Sequence, residues 1–181
     1  MAHITVPEGV PGIVGPMMAF PNTARHLNGL AEELLRGPSS LTPAEREVIA
    51  TFVSSRNDCS FCMNAHAATA RHLLGSERGL VDQVIADPQQ APIDAKMKAL
   101  LAIADKVRQG GRRVTDDDIA RARKEGADDN AIHHAVLVAA AFCMYNRYVD
   151  GLATSTPTDP SLYAQVGAHL AETGYLRPVT A

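Results

Sequence analysis

Apolar residues recur at helical spacing through most of the chain, and cap residues punctuate the runs. Val48, Ile49, Phe52 and Val53 mark one face of a helix, the i, i+1, i+4, i+5 signature of a side turned to a core. Thr42-Pro43-Ala44-Glu45 starts it with a capping box and a proline at the first helical position, and the helix should end near Ser55. Before it, Asn22 or Thr23 can cap a helix running to about Arg36, where Gly37-Pro38 stops it. After it, Asn57-Asp58 supplies a cap for a helix from Cys59 to about Leu74, closed by Gly75. Further helices fit 77–86, 94–108, 116–125, 129–152 and 160–172, with Thr115 and Asp118 as a cap signature and Gly126 and Gly151 as stops. No period-2 alternation suggests a strand. The Ala-rich run 131–141 would let helix backbones approach closely. The fold class expected is therefore all-α, a helical bundle.

The start of the chain reads differently. Pro7, Pro11, Pro16 and Pro21 alternate with Gly9, Gly12 and Gly15, a density of prolines that argues against a regular helix. Val6, Val10, Ile13, Val14, Met17, Met18 and Phe20 are nonetheless apolar. A solvated tail has little use for them, so residues 1–21 are expected to form an extended arm packed on its own body or on a neighbouring subunit. Residues 22–181 are then a single helical domain.

Composition narrows the function. Of 181 residues 46% are hydrophobic and 20% charged, which excludes a disordered or fibrous chain. The net charge is −3 and Trp is absent, so neither a basic face nor a base-stacking platform for nucleic acid is expected. No apolar run approaches the roughly 18 residues of a membrane span, and no secretory leader is visible. A cytoplasmic location is the expectation. Three cysteines do not make a disulfide framework there, and a close pair points instead to catalysis, redox exchange or metal binding.

The informative stretch is Glu47 to His66, EVIATFVSSRNDCSFCMNAH. Cys59 and Cys62 form a CxxC pair, and His66 follows four residues later. On a helix opening at Cys59 all three share one face. Residues three apart lie roughly 5 to 6 Å apart, within disulfide range. Helix-terminal N–H groups and a nearby imidazole both favour thiolate, lowering a thiol pKa from about 8.5 to as little as 3.5–7.5. Either cysteine could be the nucleophile on these grounds. Glu47 lies twelve residues before Cys59; if a short turn folds the helices together, it could orient His66 as the acid behind a base, and otherwise it is a solvated helix charge. Two alternatives for the pair are weaker. Buried cysteines can pack as small hydrophobes, but the cap signal and His66 argue against that. A zinc ion would have to bridge about 10 Å of helical rise between Cys59 and His66, with no further ligand motif nearby, so no metal and no cofactor is expected.

Other residues invite weaker readings. His133 and His134 are adjacent, so they point about 100° apart on a helix and do not make a ligand pair; one should pack and the other face solvent. Cys143 sits in an apolar helix as a core residue. Asn146, Arg147 and Asp150 could form a polar cluster near a helix end, with an Arg147–Asp150 surface pair as the default. Asp116-Asp117-Asp118 reads as a charged first turn.

The Glu47, Cys59, Cys62 and His66 spacing resembles the alkylhydroperoxidase D family within the carboxymuconolactone decarboxylase-like superfamily: a Glu, CxxC twelve residues on, and a His four after the second cysteine. Phe142-Cys143-Met144-Tyr145-Asn146-Arg147 looks like a segment of its uncharacterised peroxidase-related branch. The resemblance implies an all-helical alkylhydroperoxidase D-like bundle that forms homo-oligomers and reduces hydroperoxides. Cys62 would attack the peroxide and become a sulfenic acid. Cys59 would supply a proton and then close the disulfide, with His66 and Glu47 as the proton relay. A lipoyl-type or thioredoxin-like dithiol would restore the pair. Many active relatives carry a His inside the CxxC, whereas Ser60 and Phe61 stand here. A decarboxylase-like enzyme and a redox-sensing oligomer without turnover are the alternatives.

Overall fold

A computed structural model describes residues 2–176. Met1 of the expected arm and residues 177–181 of the expected domain lie outside the described residues. Among the described residues nine α-helices follow in order: α1 (Val14–Ala19), α2 (Pro21–Arg36), α3 (Pro43–Arg56), α4 (Ser60–Leu74), α5 (Leu80–Ala86), α6 (Ala95–Gln109), α7 (Asp116–Lys124), α8 (Asp129–Gly151) and α9 (Pro160–Thr173). The same residues contain no strand, and the fold is the all-α class expected.

The sequence signals explain most boundaries. Thr42 accepts from Glu45 N and Glu45 returns a bond to Thr42 N, so α3 begins with the expected capping box. Thr115 and Asp118 do the same for α7. Asp94 and Asp128 cap α6 and α8 through Met97 N and Ala131 N. Each such cap satisfies a first-turn amide that has no partner inside the helix.

Four expectations need correction. Residues 1–21 are not wholly extended, because Val14–Ala19 is helical; Pro16 falls in its first turn, where a missing N–H removes no bond. The next helix starts at Pro21 with Phe20 as its cap residue, and Thr23 is already inside, its hydroxyl donating to the Phe20 carbonyl at 3.0 Å. Asn57-Asp58 does not cap α4. Asn57 closes α3 and Cys59 itself is the cap residue of α4, with Asp58 turning the chain at φ +58, a left-handed conformation that Asp tolerates. The helix expected over 77–86 divides into a 3₁₀ turn at Gly75–Glu77 and the shorter α5.

The core forms where α3 packs on α4, α6 and α8, and α6 on α8. Ile49, Val53, Leu100, Leu101, Ile103, Val138 and Phe142 are all buried there. Helix α9 lies along α4. Its Gly167 makes the close approach possible: a Cβ there would stand 2.6 Å from the Ala68 carbonyl carbon. Buried Arg46 ties α3 to the end of α2 by donating to the Leu34 and Gly37 carbonyls at 3.0 and 2.9 Å. The segment before α1 bonds to the body after α8, with His3 N donating to Leu152 O and Gly12 N to Ser155 O, both at 2.9 Å.

Candidate active site

The turn from α3 to α4 brings Glu47 and His66 face to face. Glu47 is wholly buried, and its Oε2 lies 2.8 Å from His66 Nδ1. Oε1 accepts from Arg36 Nη2 at 2.7 Å and from the Tyr175 hydroxyl. Burial works to raise the pKa of this carboxyl. The neighbouring imidazole, Arg36 and the phenol outweigh it, and the net shift is downward. Glu47 is therefore an ionised acceptor, and the short contact makes His66 Nδ1 the ring's donor to it. Nε2 is left as the imidazole's free proton acceptor.

The ring is fixed from two more sides. Phe142 of α8 meets it edge-on, centroids 4.5 Å apart at 89°. Tyr175 stacks on it, and the Arg36 guanidinium lies 5.1 Å above the Tyr175 ring. Burial first, and then the Glu47 charge, pushes the Tyr175 phenol well above its ordinary pKa. It remains a neutral donor to Glu47.

Cys62 sits about one turn before His66 and Cys59 about two. Cys59 is at the cap position of α4, and Cys62 falls in its first turn. Both are buried and no disulfide joins them. Interaction between the two neighbouring thiols shifts them in opposite directions. It raises Cys59, which burial raises further. It lowers Cys62, and against the opposing pull of burial the His66 imidazole and the Asn146 amide lower it too. Cys62 is thus the thiol favoured to ionise and Cys59 the one favoured to stay protonated.

Asn146 belongs to a buried polar chain from α8. Its Nδ2 donates to Ser54 Oγ at 3.0 Å, and its Oδ1 accepts from Asn57 Nδ2 at 2.9 Å. Of the cluster suspected near this helix end, Asn146 and Asp150 lie close enough to shift the thiols, Asn146 lowering Cys62 and Asp150 raising Cys59. Arg147 turns back along α8 to the Cys143 carbonyl at 2.8 Å, so the expected pair with Asp150 is replaced by a helix-surface bond. Cys143 is half-buried against the core, 3.6 Å from Asn57 Nδ2. His134 is buried and bonds the Asn130 carbonyl at 2.9 Å, while His133 is exposed.

All four predicted site residues converge. Arg36, Asn146 and Tyr175 complete the surroundings. The sequence marks Asn146 as part of a polar cluster near a helix end and of the family-like segment Phe142 to Arg147, with no assigned partner. Arg36 and Tyr175 carry no motif, being 11 and 128 residues from the Glu47 they contact. Among the described residues no group of three His, Cys, Asp or Glu side chains is arranged to hold a metal ion, and no helix is long and apolar enough to cross a membrane.

Cys62 and His66 open into a chamber of about 710 Å³. Its other walls come from residues 9–17, α2, Phe61 and Ala65 of α4, α8, the stretch 155–157, α9 and Tyr175. Of two further clefts, one of about 640 Å³ lies elsewhere and one of about 720 Å³ borders the chamber at Thr156, Pro157 and Tyr163; neither is lined by a cysteine.

Residues 21–82 match the carboxymuconolactone decarboxylase family. This segment runs from α2 into α5 and holds Glu47, Cys59, Cys62 and His66. No curated protein matches the chain significantly. Three solved structures share the fold. An uncharacterised peroxidase-related protein from Silicibacter sp. TM1040 is 27% identical, with a TM-score of 0.76 over 86% of this chain and 79% of that one. An alkylhydroperoxidase AhpD core protein from Ralstonia eutropha JMP134, also an uncharacterised peroxidase-related protein, is 24% identical, with a TM-score of 0.77 over 88% and 82%. A protein of unknown function from Agrobacterium tumefaciens, suggested to be an antioxidant defence protein AhpD, is 19% identical, with a TM-score of 0.70 over 82% and 99%. By sequence over residues 21–82 and by fold over most of the chain, the protein is similar to the alkylhydroperoxidase D-like and carboxymuconolactone decarboxylase-like superfamily.

Proposed function

We propose that the protein is a thiol-dependent peroxidase that reduces hydroperoxides through Cys62 and Cys59. The observation that carries this reading is the opposed shift of the two thiols beside an imidazole anchored on a buried carboxylate. Cys62 thiolate attacks the terminal peroxide oxygen and the O–O bond breaks. The sulfur is oxidised to sulfenic acid and the leaving alkoxide takes a proton, from Cys59 or through His66, to become the alcohol. Cys59 then attacks the Cys62 sulfur and expels water, closing the disulfide. An external dithiol, lipoyl-type or thioredoxin-like, reopens it by exchange. The net change is one hydroperoxide and one dithiol to one alcohol, one water and one disulfide.

Glu47 serves this cycle by holding His66 with Nδ1 as donor, so that Nε2 can take and return protons. In this reading residues 22–181 form one catalytic domain with residues 1–21 as an arm against it, working in the cytoplasm. A homo-oligomer is supported by the large apolar side chains left exposed, Met18, Phe20 and Met144.

The test is hydroperoxide consumption with a dithiol donor. Wild type should turn over, and each turnover should pass through a Cys59–Cys62 disulfide seen as paired loss of two thiols. Cys62→Ser should abolish turnover. A wild-type protein that consumes no hydroperoxide with lipoyl or thioredoxin-type donors removes the assignment. Oxidation of the pair without turnover would leave a redox sensor.

A further inference from the structure

Three arginines that the redox centre does not use, Arg56, Arg112 and Arg113, meet at a second cleft. Helix α3 ends on Arg56, whose guanidinium carbon lies 5.1 Å over the Phe52 ring one turn earlier. Helix α6 ends at Gly110, whose φ of +149 is open mainly to glycine. The chain then bends into a 3₁₀ turn, Gly111–Arg113, which packs on α6 and carries the other two arginines. With Lys106 the three line a hollow of about 640 Å³, and Phe52, Pro88 and Ala102 give it apolar surface. That volume suits a small molecule.

The carboxylates of this region are already engaged. Asp105 accepts from Arg108 Nε and Gln109 Nε2, both at 2.7 Å. Asp118 holds Lys106 Nζ at 2.6 and 2.7 Å. Among the described residues Arg56, Arg112 and Arg113 form no ion pair. Arg113 reaches the neutral Gln109 Oε1 at 3.3 Å, and the contact with Phe52 steadies Arg56 without neutralising it. Uncompensated guanidiniums around one hollow repel one another and focus positive potential into it. Their planar forks match the oxygens of phosphate and carboxylate groups.

We propose that this cleft binds a small organic dianion, a phosphate ester or a dicarboxylate, that carries an apolar body. The three arginines take the oxygens, and Phe52, Pro88 and Ala102 receive the body. Neither Cys59, Cys62 nor His66 lines the cleft, so the site is separate from the redox centre and does not rest on the peroxidase reading.

Calorimetric titration of the full-length protein at low salt tests the site, with phenyl phosphate and phthalate as probes. One or both should bind at a single site per chain, and the tighter of the two tells the phosphate class from the carboxylate class. Inorganic phosphate and malonate offer the charge without the ring, and each should bind on the order of tenfold more weakly than its aromatic counterpart. Phenol, the ring without the charge, should give no binding heat. Arg56→Gln and the double variant Arg112→Gln/Arg113→Gln should each weaken the tighter probe on the order of tenfold or more. Arg25→Gln, at an exposed arginine outside the cleft, should leave it unchanged. Binding of neither probe overturns the proposal, as does affinity retained in both cleft variants. Equal affinity for a probe and its ringless counterpart, or an equal loss in Arg25→Gln, also overturns it and leaves only a diffuse positive surface.

Discussion

Tyr175 lies flat against His66, ring centroids 5.8 Å apart and planes 15° from parallel, while its hydroxyl donates to the same Glu47 carboxylate that holds His66 Nδ1. One phenol therefore braces both halves of the acid–imidazole pair. Together with Arg36 it explains how a carboxylate can stay ionised with no access to water: three donors share its charge.

Removing the hydroxyl alone, in Tyr175→Phe, keeps the stacked ring and deletes one donor. A hydrogen bond to a buried charge is worth about 1.5–3 kcal/mol, and stability at neutral pH should fall by about that amount. The sign of the pH effect follows from the lowered Glu47 pKa. Its contribution is complete above the unfolded carboxyl value of about 4.3 and is lost as pH falls through the lower folded value. With one donor gone the folded value rises, so the acid limb of the stability curve should move to higher pH. Denaturant midpoints between neutral and strongly acid pH measure it, and superimposable acid limbs would show that Tyr175 does not hold Glu47.

Glu47→Gln leaves the Arg36 guanidinium, whose side chain is only 12% exposed, without its counter-charge. Breaking one side of a buried ion pair costs about 3–5 kcal/mol. Urea unfolding at pH 7 should show a loss of that size, well beyond the loss in Tyr175→Phe. A loss below about 1 kcal/mol, the range of an exposed pair, would mean that the carboxylate is not needed to balance the cation.

The opposed shifts of the two thiols give opposite expectations for the two cysteine variants. Cys59→Ala removes the neighbour that favours ionisation of Cys62, so the Cys62 pKa should rise. The thiolate fraction at pH 7 then falls, and alkylation of Cys62 should slow on the order of tenfold or more. Cys62→Ala removes the neighbour that holds Cys59 protonated, so Cys59 should titrate lower than in wild type. The pH dependence of alkylation, read residue by residue by mass spectrometry, distinguishes the two. Unchanged Cys62 reactivity in Cys59→Ala would count against the assignment of the thiolate.

Gly167→Ala drives a methyl group into the Ala68 and Thr69 backbone, 2.6 to 2.7 Å away. Neither α4 nor α9 can yield there by moving a side chain alone, and such overpacking costs about 1–3 kcal/mol. Thermal unfolding should shift down accordingly. Because α9 leads directly to Tyr175, the variant should also share the altered acid limb of Tyr175→Phe. A melting temperature equal to wild type would mean that the helices part without penalty.

The sequence is legible wherever information is local. Capping boxes at Thr42 and Thr115 and the apolar rows of Val48 to Val53 are short-range signals, and the helices they mark are present. The convergence of Glu47, Cys59, Cys62 and His66 follows from one family-like spacing on two consecutive helices. Two kinds of feature escape such reading. One is the fine geometry of turns: Asn57 resembles a helix cap, but its amide is used by Asn146 across the core. The other is long-range partnership. Tyr175 and His66 are 109 residues apart, and no periodicity links them. Arg36 reads as a last-turn cation, and only the packing of α3 beneath it shows that it serves a buried acid.

The reacting groups come from a single helical hairpin, α3 and α4, whereas much of the surface above them comes from segments far away at both ends of the fold. Chemistry and choice of guest are therefore written in largely separate stretches of the polypeptide. Substitutions along the arm or α9 can redraw what is admitted while the hairpin stays untouched, so kindred proteins can keep one reaction and diverge in diet.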